Sequence, residues 1–197
     1  MNRLQQKLLP YTVILGSQSP RRKLLLSGLD IRFDVVVLDT DESYPNTIEL
    51  NNVPEYIAEK KFNAFVSHMK SSDFVITADT IVLHNNTILQ KPVDEQDAIS
   101  ILHTLSGSSH TVITGVCYGT TQRAYTFSSQ SIVHVAQLSP QDIEYYVHTY
   151  NPMDKAGAYG VQEWIGYIGI QGIEGSYFNV MGLPVQVLYQ KLLEYEV

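Results

Sequence analysis

Residues 12–28 read TVILGSQSPRRKLLLSG, a strand pattern that runs directly into a helix pattern. Thr12-Val13-Ile14-Leu15 is a short apolar run of the kind that forms a buried strand. Ser19 then suits a helix N-cap, Pro20 the first helical position and Gly28 the stop. A strand turning at once into a helix is the unit from which α/β folds are assembled. The same stretch holds an anomaly, because Arg21 and Arg22 fall in the first helical turn. That is the positive end of the helix dipole, where each cation costs roughly 0.3–1 kcal/mol. At 100° per residue, Arg21 lies about 40° to one side of Leu25 and Arg22 about 60° to the other, with Lys23 on the far side. Two guanidinium groups, backbone N–H groups and the hydroxyls of Ser17 and Ser19 are thus expected to converge. Such a cluster suits an anion, phosphate above all; the plain alternative is a solvated basic patch.

Outward from this unit, strand and helix patterns keep alternating. Phe33–Leu38 reads as a strand and Asp39–Asn52 as a polar loop. Val53–Lys70 reads as a helix whose stripe is Ala58, Phe62, Phe65 and Met69. Asp73–Ala78 and a short piece at Ile81–Leu83 read as two strands, followed by a helix from Asp94 to Ser106 that Gly107 stops. His110–Tyr118 and Tyr125–Ala136 are long strands rich in Val, Ile, Thr and Tyr. A helix over Gln141–Tyr150, a glycine-rich stretch at 154–162, a strand over Ile165–Ile173 and a helix over Pro184–Glu194 complete the chain. The expectation is an α/β fold with a mixed β-sheet and flanking helices, the whole chain 1–197 forming one domain.

Composition limits the ligand. The 197 residues are 44% hydrophobic and carry a net charge of −7, so a nucleic-acid polymer, which needs a basic footprint, is a poor partner. Positive charge for an anion must therefore be local. Cys117 stands alone, which rules out an intrachain disulfide and a cysteine zinc site, and it reads as a small core residue. No apolar run approaches a membrane span, and the N-terminus lacks a signal-peptide core; the expected compartment is the cytoplasm.

Other residues suit the same chemistry. On the helix from Val53, Lys61 borders the apolar stripe while Lys60 points away from it, so Lys61 is the one placed to reach inward. Asp79 closes an apolar strand, where a carboxylate can hold a metal or activate water, or simply cap a turn. Asp39, Asp41 and Glu42 form an acidic loop cluster. Lys91-Pro92 follows a short strand, and His110 reads as structural. No phosphate-binding G-x-x-x-x-G-K-[ST], dinucleotide G-x-G-x-x-G, G-x-S-x-G or H-E-x-x-H motif occurs, and the six histidines lack metal-ligand spacing.

Taken in order, the blocks Ser17-Gln18-Ser19-Pro20-Arg21-Arg22, Asp41-Glu42, Ala78-Asp79-Thr80, Lys91-Pro92, Ser106-Gly107 with His110-Thr111-Val112, and Thr114-Gly115-Val116 form a pattern. Asp154-Lys155-Ala156-Gly157-Ala158-Tyr159-Gly160-Val161-Gln162 and Asn179-Val180-Met181-Gly182-Leu183-Pro184 extend it. The pattern resembles the Maf family of nucleoside triphosphate pyrophosphatases from about Val13 to Leu188. The resemblance implies an elongated two-lobed body with a central cleft, similar to the inosine-triphosphate pyrophosphatases. It also implies hydrolysis of a nucleoside triphosphate to the monophosphate and pyrophosphate with a divalent cation, magnesium or manganese, and a homodimer.

Site roles follow by the same resemblance. Arg22, Lys61 and Lys91 would hold the triphosphate with Ser17, Glu42 and Asp79 the metal, and Asp79 would take the proton of the attacking water. Arg21, Thr80 and Gln162 would face the base, and match the branch acting on dTTP and UTP in clearance of unwanted nucleotides. A sister branch acting on 7-methyl-GTP tends to have Trp, Gln and Glu there. A non-catalytic nucleotide-binding regulator of cell division is the alternative from another class. Two positions depart from the family: Gly16 replaces Ala, which is expected to loosen the turn, and Gln90 replaces Gly before Lys91.

Overall fold

The computed structural model describes residues 1–196, which form two compact units. The first holds Met1–Asp79, Thr114–Ser129 and the chain from Gly182 onward; the second holds Thr80–Ile113 and Gln130–Met181. The strands are β1 (Thr12–Leu15), β2 (Asp34–Val35), β3 (Asp73–His84), β4 (Thr87–Leu89), β5 (Ser109–Gly119), β6 (Ala124–Val135) and β7 (Ile170–Glu174). The helices are α1 (Arg3–Leu8), α2 (Pro20–Ser27), α3 (Val53–Val66), α4 (Glu95–Leu105), α5 (Pro140–Tyr150), α6 (Trp164–Gly169), α7 (Tyr177–Val180) and α8 (Val185–Glu194). The sheet runs in the order β2-β1-β3-β5-β6-β7, with β4 pairing on β3. β1 is parallel to β2 and β3, while β3–β4 and β6–β7 are antiparallel, so the sheet is mixed as its sequence suggests.

In the first unit, β1 pairs with β3 from Thr12↔Asp73 to Leu15↔Ile76. That register sends the loop after Leu15 and the second half of β3 off the same level. The α3 stripe lands where its spacing placed it: Ala58, Phe62 and Phe65 pack with Val75 and Cys117, and Met69 and Ile14 close the cluster. Burial pushes the Cys117 thiol up to about 12, so it stays protonated and acts as a core hydrophobe. Phe74 anchors a second group, its ring 5.4 Å from Tyr11 and 4.9 Å from Tyr195. In the second unit, α4 presents Ala98, Leu102 and Leu105, and α5 presents Ile143, Tyr146 and Val147.

Several expectations change. β3 is one continuous strand, so Asp79 lies within it; the polar pair Asp79-Thr80 breaks the apolar run without breaking the extended backbone. The expected strand at 33–38 shrinks to Asp34–Val35, because β2 is an edge strand bonded only to β1 and leaves Val35, Val36 and Val37 exposed. Helix α3 stops at Val66 rather than at residue 70, its C-cap being Ser67. Trp164–Gly169 is helical rather than extended: Ile165 and Gly169, four apart, are buried while Tyr167 and Ile168 face outward. Helices α1 and α7 carry too few residues to show a periodicity, although α1 has a full capping box between Asn2 and Gln5.

Two glycines record close approach. A Cβ on Gly16 would stand 2.8 Å from both Phe65 and Thr77, so the turn is tight there rather than loose. A Cβ on Gly115 would stand 2.2 Å from the backbone nitrogen of Glu55 and 2.3 Å from the carbonyl carbon of Pro54. Neither backbone atom can move aside without displacing the start of α3. Gly115→Ala should therefore cost about 3 kcal/mol or more and lower the thermal midpoint by roughly 6–12 °C. Thermal unfolding followed by circular dichroism measures this, and an unchanged midpoint would show that the β5–α3 approach is not tight.

Candidate active site

The local structure that positions the first cluster begins at α2. Ser19 is the N-cap and Pro20 the first residue, as the sequence indicates, and the Ser19 side chain accepts from the Arg22 N–H. Ser17 Oγ accepts from the Ser19 N–H at 3.2 Å and from Arg22 Nη1 at 3.4 Å. Both serines thus shape the turn as acceptors, and each hydroxyl still carries one proton to donate. Arg22 Nε donates to the carbonyl of Gly182 at 2.9 Å. That partner lies 160 residues away and has no local sequence signal.

Arg22 keeps some exposed area, yet its guanidinium is enclosed by protein. Burial pushes its pKa down; Asp79 opposes that most, Arg21 adds repulsion and Glu42 adds attraction. A guanidinium remains charged under such a load, so the first turn of α2 holds a desolvated cation beside two carboxylates.

Lys61 ties those carboxylates together. Its Nζ stands 2.7 Å from Glu42 Oε1 and 2.7 Å from Asp79 Oδ1. The Lys61 and Asp79 side chains are only 16% and 13% exposed, whereas Glu42 is 49% exposed. The Asp79 arm is therefore the strong one, and the Glu42 arm is worth at most about 1 kcal/mol. Thr77 sets this apposition by donating its hydroxyl to the carbonyl of Ala58 at 2.6 Å. The bond links β3 two residues before Asp79 to α3 three residues before Lys61. Sequence reading passed over Thr77, whose only signal is a hydroxyl inside an apolar strand.

The acidic loop is held from the outside. Lys60 Nζ reaches Asp41 Oδ2 at 2.8 Å and the Ser43 carbonyl at 2.9 Å. The Lys60 and Ser43 hydrogen bonds hold the Asp41 carboxyl well below the usual carboxylate range. Lys60, expected to face solvent, lies on the exposed side and there clasps the loop that carries Glu42.

The first unit thus gathers Ser17, Arg22, Glu42, Lys61 and Asp79, with Arg21 close enough to repel Arg22. Thr80, Lys91 and Gln162 belong to the second unit. Thr80 follows Asp79 on β3, Lys91 is exposed beyond β4, and Gln162 sits just before α6. Gln162 Oε1 is buried and has no hydrogen-bond partner among the described residues. His110, expected to be structural, is buried with Nε2 2.7 Å from the Tyr159 hydroxyl, and burial lowers its pKa to about 4. It is neutral at pH 7 and unsuited to carry a charge there.

Among the described residues no group of three or more His, Cys, Asp and Glu side chains could hold a metal ion, and no helix is long and apolar enough to cross a membrane. Enclosed Arg22, two serine hydroxyls and Lys61 suit a polyanion. Tripolyphosphate at about a hundredfold excess over its Kd should raise the thermal midpoint by roughly 5–10 °C. Arg22→Met should remove that shift. An equal shift in both proteins, read by differential scanning fluorimetry, would place the anion elsewhere.

Known proteins resemble this chain over most of its length. The "dTTP/UTP pyrophosphatase" of Porphyromonas gingivalis is 51% identical over 188 residues, covering 94% of each chain. That of Flavobacterium johnsoniae is 40% identical over 189 residues, covering 96% of this chain and 97% of its own. A solved structure, the Staphylococcus aureus Ham1 protein, aligns at a TM-score of 0.45 with 11% identity, over 64% of this chain and 72% of the other. The model of the family described as "Maf-like protein" matches residues 12–195, and the chain belongs to that family.

Proposed function

We propose that this chain hydrolyses dTTP and UTP to the monophosphate and pyrophosphate. Relatives with that name match across nearly the whole chain. The observation that carries the chemistry is the Lys61 ammonium held at 2.7 Å by both Glu42 and Asp79 beside the enclosed Arg22. Cations and carboxylates in this balance suit phosphoryl transfer, where positioning and charge neutralisation do most of the work.

Arg22, Lys61 and the Ser17 hydroxyl bind the triphosphate oxygens, and Lys91 adds a further cation by the family resemblance. Lys61, on its flexible stem, turns from the exposed Glu42 to the phosphates as the anion arrives and stays beside Asp79. Asp79 is then the base. The oxygen of water attacks the α-phosphorus, its proton passes to Asp79, and the bond from that phosphorus to the bridging oxygen breaks. Pyrophosphate leaves with the electron pair of that bond.

Glu42 Oε1 and Asp79 Oδ1 already face one cation in common, and two hard carboxylate oxygens suit magnesium or manganese. Such an ion, when bound, would neutralise the triphosphate and stabilise the departing pyrophosphate.

Arg21, Thr80 and Gln162 are assigned to the base. The buried, unpartnered Gln162 Oε1 supports this role, since a uracil or thymine ring offers an N–H to such an acceptor. Cytosine presents a lone pair at that position and should be rejected. A homodimer is proposed from the resemblance alone.

Purified protein with magnesium should release pyrophosphate from UTP and dTTP faster than from CTP or 7-methyl-GTP. Asp79→Asn should lower kcat by about a thousandfold or more and still bind nucleotide. Glu42→Gln should raise the magnesium concentration needed for half-maximal rate, and chelation should abolish turnover. Faster turnover of 7-methyl-GTP than of UTP would assign the chain to the other branch. No pyrophosphate from any triphosphate would overturn the enzymatic reading.

A further inference from the structure

One buried phenol ties down both ends of the turn that carries Gln162. The Glu163 N–H donates to the Gly160 carbonyl at 3.0 Å, which makes Val161 and Gln162 the central residues of a four-residue turn. The Gly160 N–H donates to the Tyr146 hydroxyl oxygen at 2.9 Å. The Tyr146 hydroxyl in turn donates to Glu163 Oε2. The same oxygen atom therefore accepts from the first residue of the turn and donates to the side chain of the last. Glu163 Oε1 lies 3.2 Å from Lys155 Nζ, which Asp154 holds at 2.7 Å.

The phenol and the ammonium are buried. Tyr146 has no exposed area and Lys155 is 7% exposed. Tyr146 stands on α5, which Ser139 caps at its start and Asn151 closes in the left-handed conformation. A Cβ on Gly160 would stand 2.7 Å from the Glu163 carboxyl carbon, so glycine lets that carboxylate fold back over the turn. Burial, with the Glu163 hydrogen bond second, pushes the Tyr146 phenol far up, so it remains an O–H donor. A core tyrosine need only fill space, whereas this one spends both hydrogen-bonding directions on a single turn.

We propose that Tyr146, braced by Glu163 and Lys155, is a positioning residue for base selection, holding the Gln162 turn so that the orphaned Oε1 meets the N–H of a pyrimidine dione. The proposal rests on the assignment of Gln162 to the base. Its chemistry is geometric: an amide oxygen discriminates a donor from a lone pair only while it is held in line with that edge. With the brace gone, the turn relaxes and Oε1 finds water, so the preference fades while the triphosphate contacts stay intact.

The test compares kcat/KM for UTP and CTP in wild type, Tyr146→Phe and Gln162→Ala. Tyr146→Phe keeps the ring and removes only the hydroxyl. Its UTP:CTP ratio should fall about tenfold, mainly through a higher KM for UTP. Should Tyr146→Phe not fold, Glu163→Ala, which removes the hydroxyl's acceptor, must show the same fall. An equal loss on both substrates, with the ratio unchanged, would make Tyr146 a core residue only and overturn the proposal. A collapsed ratio in Gln162→Ala alongside an unchanged one in the brace variants would overturn the brace and leave the base assignment standing. An unchanged ratio in Gln162→Ala would overturn both.

Discussion

The first unit is organised around one ammonium group. Lys61 Nζ satisfies Asp79 and Glu42 at the same distance, 2.7 Å, though the two arms differ in strength. The Asp79 arm is enclosed, where removal of one partner strands a charge at a cost of about 3–5 kcal/mol. The Glu42 arm opens to water and is cheap to break. An arrangement with one fixed and one yielding carboxylate suits a site whose cations must change partners when a polyanion arrives. The hydroxyl of Thr77 on the Ala58 carbonyl holds β3 to α3 at the right level, so the register of the core sets the geometry of the charges.

Arg22 completes that logic. A part-buried guanidinium at a helix start, close to Arg21, is an unfavourable choice for stability alone. Asp79 and Glu42 offset part of the cost, and the Gly182 carbonyl fixes the fork. A phosphate bound there, as proposed, would offset the rest of that cost. Nearby, Lys60 and Asp41 hold the loop of Glu42 from its exposed side, so the yielding carboxylate is still delivered to Lys61.

Much of this was legible in the chain because it is local. The strand-to-helix unit, the Ser19 cap, the stripe of α3 and the contrast between Lys60 and Lys61 all follow from short-range spacing, and the structure places them accordingly. The motif blocks identified the family, which the match over residues 12–195 shows. What stayed hidden is non-local or too short to be periodic. The Gly182 partner of Arg22, the Thr77 bond and the Tyr146 brace join residues far apart in sequence. The continuity of β3 through Asp79 has no apolar signal, because backbone pairing does not require apolar side chains. The stretch Trp164–Gly169 misled because isoleucines between glycines suggest a strand, while burial four residues apart marks a helix.

The proposed reaction is attack of water on the α-phosphorus of a pyrimidine nucleoside triphosphate. Hydrolysis of UTP in water enriched in oxygen-18 tests it directly, with products resolved by mass spectrometry. Attack at the α-phosphorus leaves one labelled oxygen in the monophosphate and none in the pyrophosphate. Label in the pyrophosphate, or release of inorganic phosphate in its place, would contradict it.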